Sequence, residues 1–241
     1  MIRVAVLGAR GRMGSVTCDA VEADPELELV ARVDASDSLE TVVDAGADVA
    51  VDFTIPSSVK ANVSWLLSHG VHAVVGTTGL SDEDIAELDA LTGPANLFIA
   101  PNFAIGAVLM MQLAAQAARH LPHVEIIESH HDRKVDAPSG TALRTARLVA
   151  EARGQAPEPP LGDRSGQRDP SRGLLVDGVP VHSVRLPGYV ASQEVVLGGV
   201  GQTLTIRHDS LDRTSFMPGV LLAVKSVGSR PGTTVGLEHL L

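Results

Sequence analysis

Ile2-Arg-Val-Ala-Val-Leu-Gly8-Ala-Arg-Gly-Arg-Met-Gly14 opens the chain with a β-prone run, a glycine-spaced loop and then a helical pattern through Val21. A strand that runs into closely spaced glycines and out into a helix sets backbone N–H groups against a pyrophosphate. The spacing here, Gly8, Gly11 and Gly14, is G-x-x-G-x-x-G rather than the usual G-x-G-x-x-G, and a glycine cluster alone also serves as a tight turn. The next run favours the nucleotide reading. Leu27-Glu-Leu-Val-Ala-Arg-Val33 is a second strand ending on Asp34, where a carboxylate can accept hydrogen bonds from ribose hydroxyls. Arg10 and Arg12 lie close enough in sequence to receive a 2′-phosphate instead, so NADH and NADPH both stay open.

Outward from this unit the strand and helix rhythm continues. Ala47 to Thr54 reads as a strand, Pro56-Ser57 opens a helix running towards His69, and Val71 to Val75 is a strand entering Gly76-Thr-Thr-Gly79. Ser81-Asp-Glu-Asp caps another helix, and Asn96 to Ala100 is a further strand ending in Pro101-Asn102-Phe103. Alternating strands and helices give a doubly wound parallel sheet of the Rossmann type. Ligands of such sheets sit beyond the carboxyl ends of the strands. The segments Gly8, Ala9, Arg10, Gly11, Arg12 and Met13, then Gly76, Thr77 and Thr78, then Ala100, Pro101, Asn102 and Phe103, are therefore expected to converge on one crevice.

Near Ala104 the pattern changes. A long helix, Ile105 to His120, leads to Val124-Glu-Ile-Ile-Glu-Ser-His130 and then to His131-Asp-Arg-Lys134-Val-Asp136-Ala-Pro-Ser139-Gly-Thr141. If Val124 to His130 is a strand, Glu128 and His130 share one face and Ser129 and His131 the other, so the two histidines take different roles. Ser139 reads as the N-cap of a helix from Ala142 to Ala152, whose first turn offers N–H groups and a positive dipole end to a carboxylate. Lys134 adds a full charge, and a histidine supplies proton chemistry beside it. The adjacent histidines lack a spaced set of further His or Cys ligands, so no metal is expected.

Residues 154 to 173, rich in Gly, Pro, Arg and Asp, read as a long loop. The β-prone runs Val181 to Leu186, Glu194 to Leu197 and Thr203 to Arg207 lack any βαβ rhythm and suggest a smaller α+β domain with a mixed or antiparallel sheet. Thr214 to Ser226 is helical again and is placed back on the first domain. The expected domains are 1–104 with 212–241, and 105–211.

Composition narrows the function. Hydrophobic residues make up 44% of the 241 positions and aromatics only 2%, so Val, Ala, Leu and Ile build the core, as in a helix-covered sheet. A net charge of −10 argues against nucleic acid as a partner. The longest apolar run, Phe103 to Ala118, is broken by Gln112 and Gln116 and is short for a membrane span. With no export signal visible and Cys18 as the single cysteine, a soluble cytoplasmic protein is expected. Cys18 also falls in the first helix, which sets aside enzymes that need a thiol nucleophile.

Glu128 to Ala142, together with Gly8 to Gly14, Gly76 to Gly79 and Ala100 to Phe103, resembles the dihydrodipicolinate reductase family across essentially the whole chain. The resemblance implies NADH- or NADPH-dependent reduction of a cyclic imine dicarboxylate, with loss of its hydroxyl as water, on the way to diaminopimelate and lysine. It implies that His130 and Lys134 are the acid/base pair. His131, Lys134, Ser139, Gly140 and Thr141 would hold the substrate carboxylates. The cofactor would lie on Gly8 to Met13, Asp34, Gly76 to Thr78 and Ala100 to Phe103. A homotetramer joined through the sheets of the second domain is implied as well.

Overall fold

In the computed structural model, residues 1–154 and 169–241 are described. Residues 155–168 of the long loop expected at 154 to 173 lie outside the described residues. The chain divides into two units, Met1–Ile105 with Arg213–Leu241, and Gly106–Asp212.

The first unit alternates β1 (Ile2–Leu7), α1 (Arg12–Ala23), β2 (Leu27–Val33), α2 (Glu40–Asp44), β3 (Val49–Asp52), α3 (Pro56–Ser68), β4 (His72–Val75), α4 (Asp82–Asp89) and β5 (Leu97–Ile99). Val4 to Leu7 and Val49 to Asp52 are buried at every position, as expected of strands covered by helices on both faces. These five strands are all parallel, in the order β5-β4-β3-β1-β2. The order reverses at β1, so the carboxyl ends of β1 and β3 flank a topological switch point, where open sheets of this kind bind ligands. Helix starts follow local chemistry. Pro56 occupies the first turn of α3, and Ser81 and Asp84 close a reciprocal capping box at α4, with distances of 3.1 and 2.9 Å.

The second unit begins with α5 (Ile105–Ala118) and continues through β6 (His123–His130), α6 (Gly140–Arg153), β7 (Leu174–Val176), β8 (Val179–Arg185), β9 (Ala191–Gly199) and β10 (Gln202–Ser210). Its five strands run β10-β9-β6-β8-β7, with β6 and β8 parallel and every other neighbour antiparallel, so the sheet is mixed. Strand alternation is clear in β6: Val124, Ile126 and Glu128 are buried, and register places Leu197, Val195 and Gln193 of β9 beside them. α6 covers this face with Ala142, Thr145, Ala146 and Val149, and Gln193 Nε2 donates to Thr145 Oγ1 at 2.7 Å. The opposite face carries Glu125, Ile127, His182, Val184 and Val196.

The chain then returns to the first unit through α7 (Met217–Val227) and β11 (Thr233–Val235). β11 pairs parallel with β5 and makes the sheet six-stranded, a strand that the sequence pattern did not reveal because only three residues form it. Asn96 fastens the return: its Nδ2 donates to Val227 O at 2.9 Å and its Oδ1 accepts from Gly232 N at 3.3 Å. Among the described residues no helix is long and apolar enough to cross a membrane.

Candidate active site

At the carboxyl end of β1, Gly8 takes φ +75°, and a Cβ there would stand 2.6 Å from Phe53 O, so only glycine fits. Gly8 N donates to Val33 O at 2.8 Å, holding the loop against the end of β2. Gly11 is the N-cap of α1 and offers no side-chain cap, which leaves the first-turn N–H groups without one. Gly14 packs its Cα side onto the carbonyl of Gly8, closing the loop on the helix. Asp34, at the end of β2, accepts from Arg10 N at 3.2 and 3.1 Å, and the Arg10 Nε lies 3.5 Å away. A cleft of about 480 Å³, within the size range of small-ligand sites, is lined by Gly8, Gly11, Val33, Asp34, Phe53 and Thr54 among others.

Phe53, which sequence reasoning passed over as the end of a strand, is where the three expected segments meet. Its carbonyl abuts Gly8, its ring lies against Gly76, and the same ring contacts Phe103 edge-to-face with centroids 6.2 Å apart. Ala9, Ala100 and Phe103 are buried, whereas Arg10, Arg12, Thr78 and Pro101 are exposed and Met13, Thr77 and Asn102 are partly so. Beneath Phe53 the Asp52 carboxylate is fully buried and accepts from Thr54 N (2.9 Å), Thr54 Oγ1 (2.7 Å), Asn62 Nδ2 (2.9 Å) and Thr77 Oγ1 (2.7 Å). One carboxylate therefore fixes the β3 end, α3 and the Gly76–Thr78 segment together. Asp52 also escaped the sequence reading; a lone acid closing an apolar strand was its only signal.

In the second unit the histidine stretch is built around Glu128, which is fully buried beside Ile126. An isolated buried carboxylate costs several kcal/mol, so it needs partners. His130 Nδ1 lies 2.6 Å from Oε2, and Arg185 approaches both oxygens, Nη1 to Oε2 at 2.9 Å and Nη2 to Oε1 at 2.8 Å. Ser139 N donates to Oε1 at 3.2 Å. Burial pushes the Glu128 carboxyl up, but hydrogen bonds from His130, Arg185 and Ser183 outweigh it and hold it at about 2. Arg185 was not singled out in the sequence, although an arginine on the inward-facing positions of β8, in line with Val179, Val181 and Ser183, is itself a signal of a buried partner.

Of the residues the sequence proposed, His130 and Ser139 touch this carboxylate directly, and the others lie along the same stretch of chain. His130 ends β6, its backbone oxygen accepting from Leu186 N at 3.0 Å. His131 follows, and among the described residues its buried Nδ1 has no partner. Lys134 Nζ donates to both oxygens of Asp136, at 2.7 and 2.8 Å, and that ammonium holds the Asp136 carboxyl below the usual carboxylate range. Ser139 is buried and caps α6, accepting from Ala142 N at 3.2 Å, so its hydroxyl serves the helix while Gly140 and Thr141 begin it. A Cβ at Gly140 would meet open space, leaving that helix end accessible. α6 starts at Gly140, two residues earlier than the sequence pattern suggests. Among the described residues no cluster of three His, Cys, Asp or Glu side chains is placed to hold a metal ion. Cys18 is buried in α1 and burial pushes its thiol up, so it is no nucleophile.

A parallel sheet with a glycine-floored cleft at its switch point, and a second unit gathering proton donors at a helix start, define a Rossmann-type oxidoreductase. Models described as dihydrodipicolinate reductase, N-terminus, and dihydrodipicolinate reductase, C-terminus, match residues 2–103 and 106–241. The chain belongs to the dihydrodipicolinate reductase family. It is 56% identical to the 4-hydroxy-tetrahydrodipicolinate reductase of Mycolicibacterium vanbaalenii, over 100% of this chain and 99% of that one. It is 58% identical to the enzyme of the same name from Nocardia farcinica, over 100% and 98%. A dipicolinate-bound dihydrodipicolinate reductase from Paenisporosarcina sp. TG-14 is 40% identical over 100% of both chains, with a TM-score of 0.88.

Proposed function

We propose that the protein is an NADH- or NADPH-dependent 4-hydroxy-tetrahydrodipicolinate reductase, forming tetrahydrodipicolinate with loss of water in diaminopimelate and lysine biosynthesis. The observation that carries this reading is the buried Glu128 carboxylate, bonded to His130 and to the start of α6 and paired with Arg185, which in turn holds the loop that carries Lys134, in a chain this similar to named reductases.

The first unit fits a dinucleotide. Gly8 and Gly11 bring backbone close enough for a pyrophosphate, the uncapped start of α1 favours its charge, and the Asp34 carboxylate suits ribose hydroxyls. Ala9, Arg10, Arg12 and Met13 complete that loop, and Gly76 to Thr78 with Ala100 to Phe103 form the rest of the contact. When bound, the nicotinamide supplies hydride. Asp34 favours a free 2′-hydroxyl, whereas Arg10 and Arg12, both exposed, offer charge to a 2′-phosphate, so both cofactors are read as usable.

In the second unit the substrate carboxylates lie on His131, Ser139, Gly140 and Thr141, where the helix end and a protonated His131 Nδ1, which has no partner among the described residues, attract an anion. Lys134 turns from Asp136 to a substrate carboxylate or ring nitrogen. As negative charge develops on the conjugated ring, Lys134 and His130 stabilise it and are the groups able to supply the proton. Glu128 keeps His130 Nδ1 occupied, so Nε2 is the nitrogen that faces substrate.

The open face of the mixed sheet, with Ile127 and Val184 more than a third exposed, is the surface we assign to a homotetramer. The free buried Cys18 accords with a cytoplasmic setting. The test is oxidation of NADH and NADPH with the substrate generated in situ by the preceding pathway enzyme. Oxidation dependent on that enzyme supports the reading; oxidation of neither cofactor overturns it.

A further inference from the structure

We propose that Glu128 and Arg185 act as a positioning pair that fixes a proton on His130 Nδ1, so that Nε2 is the nitrogen that exchanges a proton with the substrate, and that holds the loop of Lys134 and the start of α6 in register with it. The inference rests on the reading of His130 as an acid/base group.

A fully buried, ionised carboxylate can only accept, so the 2.6 Å contact to His130 requires a proton on Nδ1. Arg185 meets both carboxylate oxygens in a fork, which fixes the plane of the carboxylate and with it the direction of the imidazole. The same pair reaches the rest of the site. Arg185 Nη2 donates to Asp136 O at 2.6 Å, tying down the loop that carries Lys134, while Glu128 Oε1 accepts from Ser139 N at the start of α6. Three separate pieces of chain thus take their positions from one ion pair.

A purely architectural role, joining β6 to β8, leaves this arrangement unaccounted for. Those strands are already registered by pairing from Ile126 with Val181 through His130 with Arg185, and such a role has no need of the carboxylate that also holds His130.

Glu128→Gln keeps the shape but allows the side chain either to accept from or to donate to Nδ1, so the tautomer is no longer imposed. Nitrogen-15 spectra of His130 in its neutral form are expected to show Nδ1–H in the parent protein and a mixture in Glu128→Gln. Turnover should fall roughly 100-fold, with KM for the dicarboxylate changed by less than about twofold. In a His130→Gln background the same substitution should cost at most a small further loss, from the contacts to the Lys134 loop and the start of α6, because its main effect runs through the imidazole.

Full turnover in His130→Gln overturns the acid/base reading itself. Impaired His130→Gln beside unimpaired Glu128→Gln, or losses that add in full, overturn the positioning pair alone. Should Glu128→Gln fail to fold with Arg185 uncompensated, Glu128→Gln/Arg185→Met removes both charges. Loss of the fixed tautomer in that variant supports the proposal, and a retained Nδ1–H refutes it.

Discussion

Lys134 Nζ rests on both carboxylate oxygens of Asp136, two residues along the same loop, at 2.7 and 2.8 Å. The site lysine is thus already neutralised by a carboxylate of the kind it is assigned to bind. Asp136 is mostly exposed, so the pair contributes under about 1 kcal/mol to stability. Its consequence is for substrate affinity. Asp136→Asn should leave the melting temperature nearly unchanged and lower KM for the dicarboxylate about two- to fivefold, by removing an internal competitor. A raised KM in steady-state assays contradicts this.

Glu128 sets an acid limit to stability. Its carboxyl is held at about 2, against an ordinary value of 4.5. A lowered folded value means that the folded state binds the proton less readily than the unfolded one, so the stabilisation is complete above the ordinary value and fades as pH falls towards the folded one. The shift corresponds to roughly 3 kcal/mol. Urea titrations between about pH 5 and about pH 2 should show the parent protein losing that stability while Glu128→Gln lacks this component. Parallel pH dependence in the two proteins would contradict the assignment.

Asp52 is the corresponding anchor of the nucleotide unit. Asp52→Ala strips partners from Thr54, Asn62 and Thr77 and should destabilise the protein by about 3 kcal/mol or more, weakening dinucleotide binding through the displaced Gly76–Thr78 segment. Asp52→Asn keeps part of the network and should cost less. Thermal melts with calorimetric titration of NADH separate the two effects.

Gly8→Ala tests the floor of the cleft. The new methyl meets Phe53 O, a backbone atom that cannot swing away, at a φ that disfavours alanine. NADH affinity should drop about tenfold or more while the His130 tautomer stays as in the parent protein, since that is set within the other unit. Unchanged NADH affinity would remove the loop from the binding site.

The parallel sheet was legible because its signals are local: β-branched runs with glycine at the ends, Pro56 and Ser81 at helix starts, and a fixed alternation between them. The mixed sheet was legible only in outline. β6 to β8 pairing brings Glu128 and Arg185 together over 57 residues, and no sequence window spans such a partner. Phe53 and Asp52 were overlooked for a related reason. A strand-end residue announces burial, but its role as a junction depends on neighbours supplied by β1, β4 and the segment after β5. His130, Lys134 and Ser139 to Thr141 stood out because charge, imidazole and a helix start coincide within a dozen positions.

The most direct measurement is turnover of the in situ substrate by Lys134→Ala and His130→Ala, paired with their NADH dissociation constants. Each variant should lose about 100-fold or more in kcat with NADH binding nearly intact. Turnover at the parent rate in both variants would contradict the site.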